Sequence, residues 1–176
     1  VIAQALVAAS RTVDDDRPPH SLHAYFIRPG AVDVPVVYQV ERDRDGRSFS
    51  TRRVVAIQNG RAIFNMAVSF QVQEDGYEHQ FDMPDVPPPE DLMPEQEWRE
   101  SFAAEVPVAY RENLLRERSI DFRRVDPAIP GREGPEPRQN IWFRVQCEVP
   151  PDPALHRCLL AYASDMTLLS TCQRPH

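Results

Sequence analysis

The amino-acid sequence predicts an α+β fold in which curved antiparallel sheet wraps around a central helix. Three observations carry this. A helix-period segment rich in small residues opens the chain, and four strand-period segments joined by turn signals follow it. Two further strand-like runs then lead into a second helix-period segment near the C-terminal end. A sheet with one apolar face must bury that face, and in the first part of the chain only the opening helix is available to cover it.

Ile2, Leu6, Ala9 and Val13 mark one face of the first helix, with Ala3, Ala5 and Ala8 filling its remaining surface. Asp14-Asp15-Asp16 and Pro18-Pro19 end it. Residues 20–27 read as a short strand closed by Pro29-Gly30. Residues 34–44 form a second strand, in which Val36, Tyr38 and Val40 alternate with Val37, Gln39 and Glu41, and Asp43-Arg44-Asp45-Gly46 reads as its hairpin turn. Residues 49–58 form the third strand and residues 61–73 the fourth, joined by Asn59-Gly60, the strongest hairpin signal in the chain. One helix, one strand and an antiparallel meander make the architecture called a hotdog.

Residues 74–118 differ in kind. Pro84, Pro87, Pro88, Pro89, Pro94 and Pro107 cluster there among acidic residues, which excludes a central strand. An extended linker to about Pro94 is expected, then short helical pieces containing Trp98, Phe102 and Tyr110. Alternation returns at residues 120–125 and 141–147, separated by a Pro/Gly loop over residues 127–137. The expected organisation is a first unit over residues 1–73, a Pro-rich acidic linker over 74–118, and the start of a second unit over 119–176.

Residues 155–169 predict a helix with Leu155, Leu159, Tyr162, Met166 and Leu169 along one stripe, started by Asp152 and Pro153. Asp165 falls at the rim of that stripe, on the side of Cys158. An acid in such a place is paired, solvated, or used in chemistry. A faint internal echo links Leu6-Val7-Ala8-Ala9-Ser10 to Leu160-Ala161-Tyr162-Ala163-Ser164, and Arg11 stands where Asp165 stands.

The 176 residues carry a formal net charge of −7, which argues against a nucleic-acid partner. No apolar run is long enough for a membrane span. All 20 basic residues are Arg, a bias that reflects either the source genome or a grip on phosphates. Cys147, Cys158 and Cys172 have no metal-ligand spacing and are odd in number, so a reducing, cytoplasmic setting is expected. No signal peptide is visible, but the chain opens on Val1 inside a patterned segment, and a missing N-terminus is expected.

Several stretches together resemble the acyl-CoA thioesterase II family. They are Gln4-Ala5-Leu6, residues 20–30, residues 45–54, Ile57-Gln58-Asn59-Gly60, and Leu159-Leu160-Ala161-Tyr162-Ala163-Ser164-Asp165. The resemblance covers almost the whole chain, in order. It implies a double hotdog, two tandem copies in one chain, with the second unit incomplete here. It further implies hydrolysis of medium- to long-chain acyl-CoA to fatty acid and CoA, a step of lipid metabolism, with no cofactor, no metal and no covalent intermediate. In the family an Asp, a Thr and a Gln orient and activate water. The Asp of the Tyr-Ala-Ser-Asp pattern maps onto Asp165, the one catalytic residue expected here. The Thr and Gln are expected beyond His176, so Thr167, Thr171 and Gln173 are given no such role. The family's Gly-Gly-Gln entry to the first helix is expected before Val1.

A thioester is an activated acyl group, and water becomes an effective nucleophile when a carboxylate takes its proton. Backbone N–H groups at the other copy's helix N-terminus suit the developing oxyanion. Arg52, Arg53, Arg123, Arg124 and Arg138 are candidate cations for the CoA phosphates. His20 and His23, three apart on one strand, face opposite ways and suit no shared metal. They are expected to hydrogen-bond at the strand's start and to hold the turn at residues 28–30. Ser21 with His23 lacks a nucleophile elbow, and Cys158 is expected to be core packing rather than an acyl carrier. A homo-oligomer is expected. The competing functions are a hotdog enoyl-CoA hydratase, for which no Asp–His motif is seen near Asp165, and a non-catalytic acyl-CoA-binding hotdog protein. Thiol release separates hydrolysis from both.

Overall fold

The computed structural model describes residues 1–127 and 138–173; the expected Pro/Gly loop falls almost wholly outside them. The chain divides into two compact units, one of residues 1–79 with 151–162 and the other of residues 80–150 with 163–176.

In the first unit, helix α1 (Ile2–Ser10) is followed by strands β1 (Pro19–Phe26), β2 (Val37–Asp45), β3 (Phe49–Gln58) and β4 (Arg61–Gln71). They form one antiparallel sheet in the order β1-β4-β3-β2. The β3–β4 hairpin turns on Asn59 and Gly60, at φ 48° and 70°. Both positive values suit a type I′ turn, and only Asn, Asp and Gly adopt them cheaply. The β2–β3 turn lies later than Asp43-Arg44-Asp45-Gly46 predicts. Strand β2 bulges between Arg42 and Arg44 and runs on to Asp45, and Gly46 N–H donates to Phe49 O at 2.8 Å to close the turn.

The core lies between α1 and the sheet. Ile2, Ala5, Leu6 and Ala9 meet Val54, Ala56, Phe64, Met66, Val68 and Phe70. The alanines let the backbone of α1 approach the sheet, as a wrapped helix requires. Strand parity decides what else is inside. On β3 every even position from Ser50 to Gln58 is buried, so Arg52 and Gln58 share a face with Val54 and Ala56.

The last long helix is shorter than its periodicity predicts. Helix α4 spans Pro153–Ser164, a turn follows, and the short α5 spans Leu168–Gln173. In α5, Ser170 Oγ and Thr171 Oγ1 both donate to Thr167 O, at 2.9 Å each, beside the backbone bond from Thr171 N at 3.1 Å. The expected stripe is wrong in part: Tyr162 is 41% and Leu169 71% exposed. The buried positions are the small Cys158 and Ala161, in the first unit's core, and Ala163 in the second's.

In the second unit, α2 (Glu95–Phe102) and α3 (Val108–Leu115) follow a stretch with little regular structure. Strands β5 (Ile120–Arg124) and β6 (Ile141–Val145) pair antiparallel, Ile120 opposite Val145. Ile120 and Phe122 pack on Ala163. Glu95 accepts hydrogen bonds from Arg99 and Arg124, and the Arg124 guanidinium lies 4.1 Å over the Trp98 ring.

Candidate functional site

Asp152 starts the helix that leads to Asp165. Its Oδ1 accepts from Ala154 N at 2.9 Å, with Pro153 at the first helical position. This satisfies one orphan amide and pre-sets the first turn. The helix delivers Asp165 into the turn after Ser164, where Met166 N–H reaches back to Ala163 O at 3.1 Å. The carboxylate is exposed, not at the rim of a buried face as the helical period predicts, because the helix has ended one residue earlier. Among the described residues it has no hydrogen-bond or ion-pair partner. The segment behind it is held: Gln139 Nε2 donates to Thr171 Oγ1 at 3.1 Å and contacts Ser170 Oγ at 3.3 Å.

The arginines proposed for phosphates are mostly engaged. Arg52 is 1% exposed. It donates to Thr12 Oγ1, Thr12 O, Arg44 O, Thr51 O and Asp45 Oδ1 at 2.5–3.0 Å. No donor remains for a ligand, so Arg52 is a structural cation and leaves the candidate set. The Arg52 hydrogen bond, aided by one from Ser50 and by the Arg52 and Arg42 charges, holds the Asp45 carboxyl below the usual carboxylate range. Arg53 is exposed and donates to Glu41, which raises its already high value. Arg123 donates to Asp121 and to Leu92 O, and Arg124 is committed to Glu95 and Trp98. Arg138 is exposed.

His20 Nε2 lies 2.9 Å from Ser69 Oγ, and its ring meets Phe49 edge-on; His23 packs on Tyr25. Neither histidine is among the groups that hold the turn at residues 28–30. Ile63 O accepts from Ile27 N and Arg28 N, at 2.8 and 3.1 Å, and Arg28 Nη1 donates to Ala62 O at 2.5 Å. The loop beyond the turn is tied to Gln58, which periodicity alone leaves unremarked although its parity on β3 points it inward. Cys158 is buried, and burial, aided by the Asp152 charge, pushes its thiol up, away from the thiolate a nucleophile needs.

A small-residue helix backed by a curved antiparallel sheet is the hotdog architecture. A solved hot dog-fold protein from Alicyclobacillus acidocaldarius superposes with a TM-score of 0.68 at 21% identity over 99% of this chain and 60% of its own. Residues 1–71 match the family model of the acyl-CoA thioesterase N-terminal domain, and residues 111–176 match that of acyl-CoA thioesterase. The chain belongs to the acyl-CoA thioesterase family. It is 41% identical to acyl-coenzyme A thioesterase 8 of Rattus norvegicus, over all of this chain and 58% of that protein. It is 40% identical to acyl-CoA thioesterase 2 of Haemophilus influenzae, over all of this chain and 62% of that protein. The crystal structure of acyl-CoA thioesterase II TesB2 from Mycobacterium marinum matches with a TM-score of 0.76 at 42% identity, over 99% of this chain and 60% of that one. The chain thus spans about three-fifths of the length of these relatives.

Proposed function

We propose that the protein hydrolyses medium- to long-chain acyl-CoA, with Asp165 as the general base. The observation that carries this reading is the position of Tyr162-Ala163-Ser164-Asp165. The stretch lies inside residues 111–176, which match the thioesterase model, and it ends on a solvent-reached carboxylate with no partner among the described residues. The water proton passes to the Asp165 carboxylate as the water oxygen bonds to the thioester carbonyl carbon. The carbon–sulfur bond then breaks, CoA leaves as a thiolate that takes up a proton, and the acyl group leaves as a fatty acid. No acyl-enzyme is needed, in keeping with the buried, raised thiol of Cys158.

The same reading covers domain organisation, surroundings and assembly. Residues 1–73 and 119–176 correspond to two hotdog copies joined by the Pro-rich segment. Cys147, Cys158 and Cys172 are free, which suits a reducing cytoplasm. Among the described residues no helix is long and apolar enough to cross a membrane. Copies associate with one another: the edge strand β1 leaves Leu22 and Tyr25 exposed, a surface that association would cover. The test is release of free thiol from dodecanoyl-CoA, followed with a thiol reagent. Steady release with equimolar free acid supports hydrolysis. Binding without release favours the acyl-CoA-binding alternative, and, with a 2-enoyl-CoA of the same length as substrate, loss of the enoyl thioester band without thiol release favours a hydratase.

A further inference from the structure

The first unit holds an open cavity of about 320 Å³ on one side of its sheet. Ile63 and Phe64 form its buried floor; Phe26, Ile27 and residues 28–30 wall it. Phe26 lies edge-on to Phe64 with ring centroids 5.1 Å apart, yet is 56% exposed, and Ile27 is exposed too. Large apolar side chains left open beside an apolar floor fit an apolar guest. The volume falls at the low end of ligand sites, roughly 300–1,000 Å³.

One wall of this cavity continues into a loop with no regular structure that runs to β2. Among the described residues, Gln58 makes the side-chain hydrogen bonds that tie residues 31–34 of that loop to the sheet. Gln58, the last residue of β3, is 6% exposed. Its Oε1 accepts from Ala31 N at 2.9 Å, and its Nε2 donates to Ala31 O at 2.8 Å and Val34 O at 2.6 Å. Both amide donors are therefore used. Gly30 lies against the same group: a Cβ there would meet Gln58 Oε1 and Ile63 Cδ1, each at 3.3 Å. The amide mimics a strand partner for a segment that has none, and so fixes a wall that side-chain packing alone would not.

The geometry points to Gln58 as a positioning residue for substrate: it holds the loop at residues 30–34 so that the cavity beside it accepts the acyl chain of acyl-CoA. This rests on the thioester reading above. Gln58 does not touch the reacting atoms. Its effect passes through the wall, so it grows with the length of acyl chain that the cavity must hold. A short acyl group does not depend on the wall, whereas a general loss of stability weakens all acyl lengths alike.

The experiment compares the unsubstituted protein with Gln58→Met and Gly30→Ala. Calorimetry measures dissociation constants for butyryl-CoA and dodecanoyl-CoA at low temperature, before turnover, and hydrogen exchange follows the Ala31 amide. Gln58→Met removes the three hydrogen bonds at nearly constant volume. Gly30→Ala presses on the amide from the loop side and serves if the first variant fails to fold. The expected result is dodecanoyl-CoA affinity weakened about tenfold, as the loss of one or two net hydrogen bonds implies. Butyryl-CoA affinity stays unchanged, and Ala31 exchanges faster. Equal weakening for both ligands, or faster exchange with unchanged dodecanoyl-CoA binding, overturns the positioning role while leaving the thioester reading intact. Failure of the unsubstituted protein to bind either acyl-CoA overturns both.

Discussion

The guanidinium of Arg52 sits inside the first unit with Thr12, Arg44, Thr51 and Asp45 as its acceptors. A buried cation is tolerated only when its donors are matched, and removing it leaves buried acceptors without partners. Arg52→Leu is expected to cost about 1–3 kcal/mol, the penalty of leaving inward-facing acceptors without a donor; a urea midpoint unchanged from the unsubstituted protein would show the network to be dispensable. Asp45, the exposed end of this network, carries a pH signature. Arg52 holds its carboxyl below the ordinary value, so the folded state keeps it ionised where the unfolded chain has begun to take up a proton. The unfolded state then binds more protons, and stability falls as pH falls. This contribution is present above the unfolded value of about 3.9 and is lost on descent through the lower folded value. Asp45→Asn is expected to flatten that acid limb in melting curves taken across it; an acid limb of unchanged steepness counts against the assignment. None of this was legible in Arg52 and Arg53 read as candidate cations for the CoA phosphates. The parity of β3 was the available signal, since it sets Arg52 with Val54 and Ala56. Gln58 was missed for the same reason.

At the scale of the elements, local chemistry was readable and competition between partners was not. The β3–β4 hairpin followed from Asn59 and Gly60 because positive φ at both positions is a property of those two residues. The start of α4 was equally local: Asp152 accepts from Ala154 N, and Asp152→Ala is expected to cost about 1 kcal/mol in thermal or urea unfolding. No measurable cost would mean the helix start is held by packing instead. The end of α4 was not legible, because apolar spacing continues through Met166 and Leu169, past Ser164 where the helix stops. The buried side of α4 was also misread. Periodicity weights large apolar residues, whereas close packing selected Cys158, Ala161 and Ala163.

At the scale of the molecule, a small-residue helix against a meander gave the hotdog core of the first unit, and thioesterase family models match residues 1–71 and 111–176. Asp165 was singled out through its motif. Its exposed place in a turn was not, because that depends on where α4 stops. What ties the whole account together is whether this one carboxylate drives thioester hydrolysis. The direct measurement is the rate of thiol release from dodecanoyl-CoA by the full gene product and by its Asp165→Asn variant, each checked as folded by its melting curve. The account predicts a fall in kcat of about 10²–10⁴-fold, the usual worth of a general base. A fall of less than about threefold, far below that range, would contradict it.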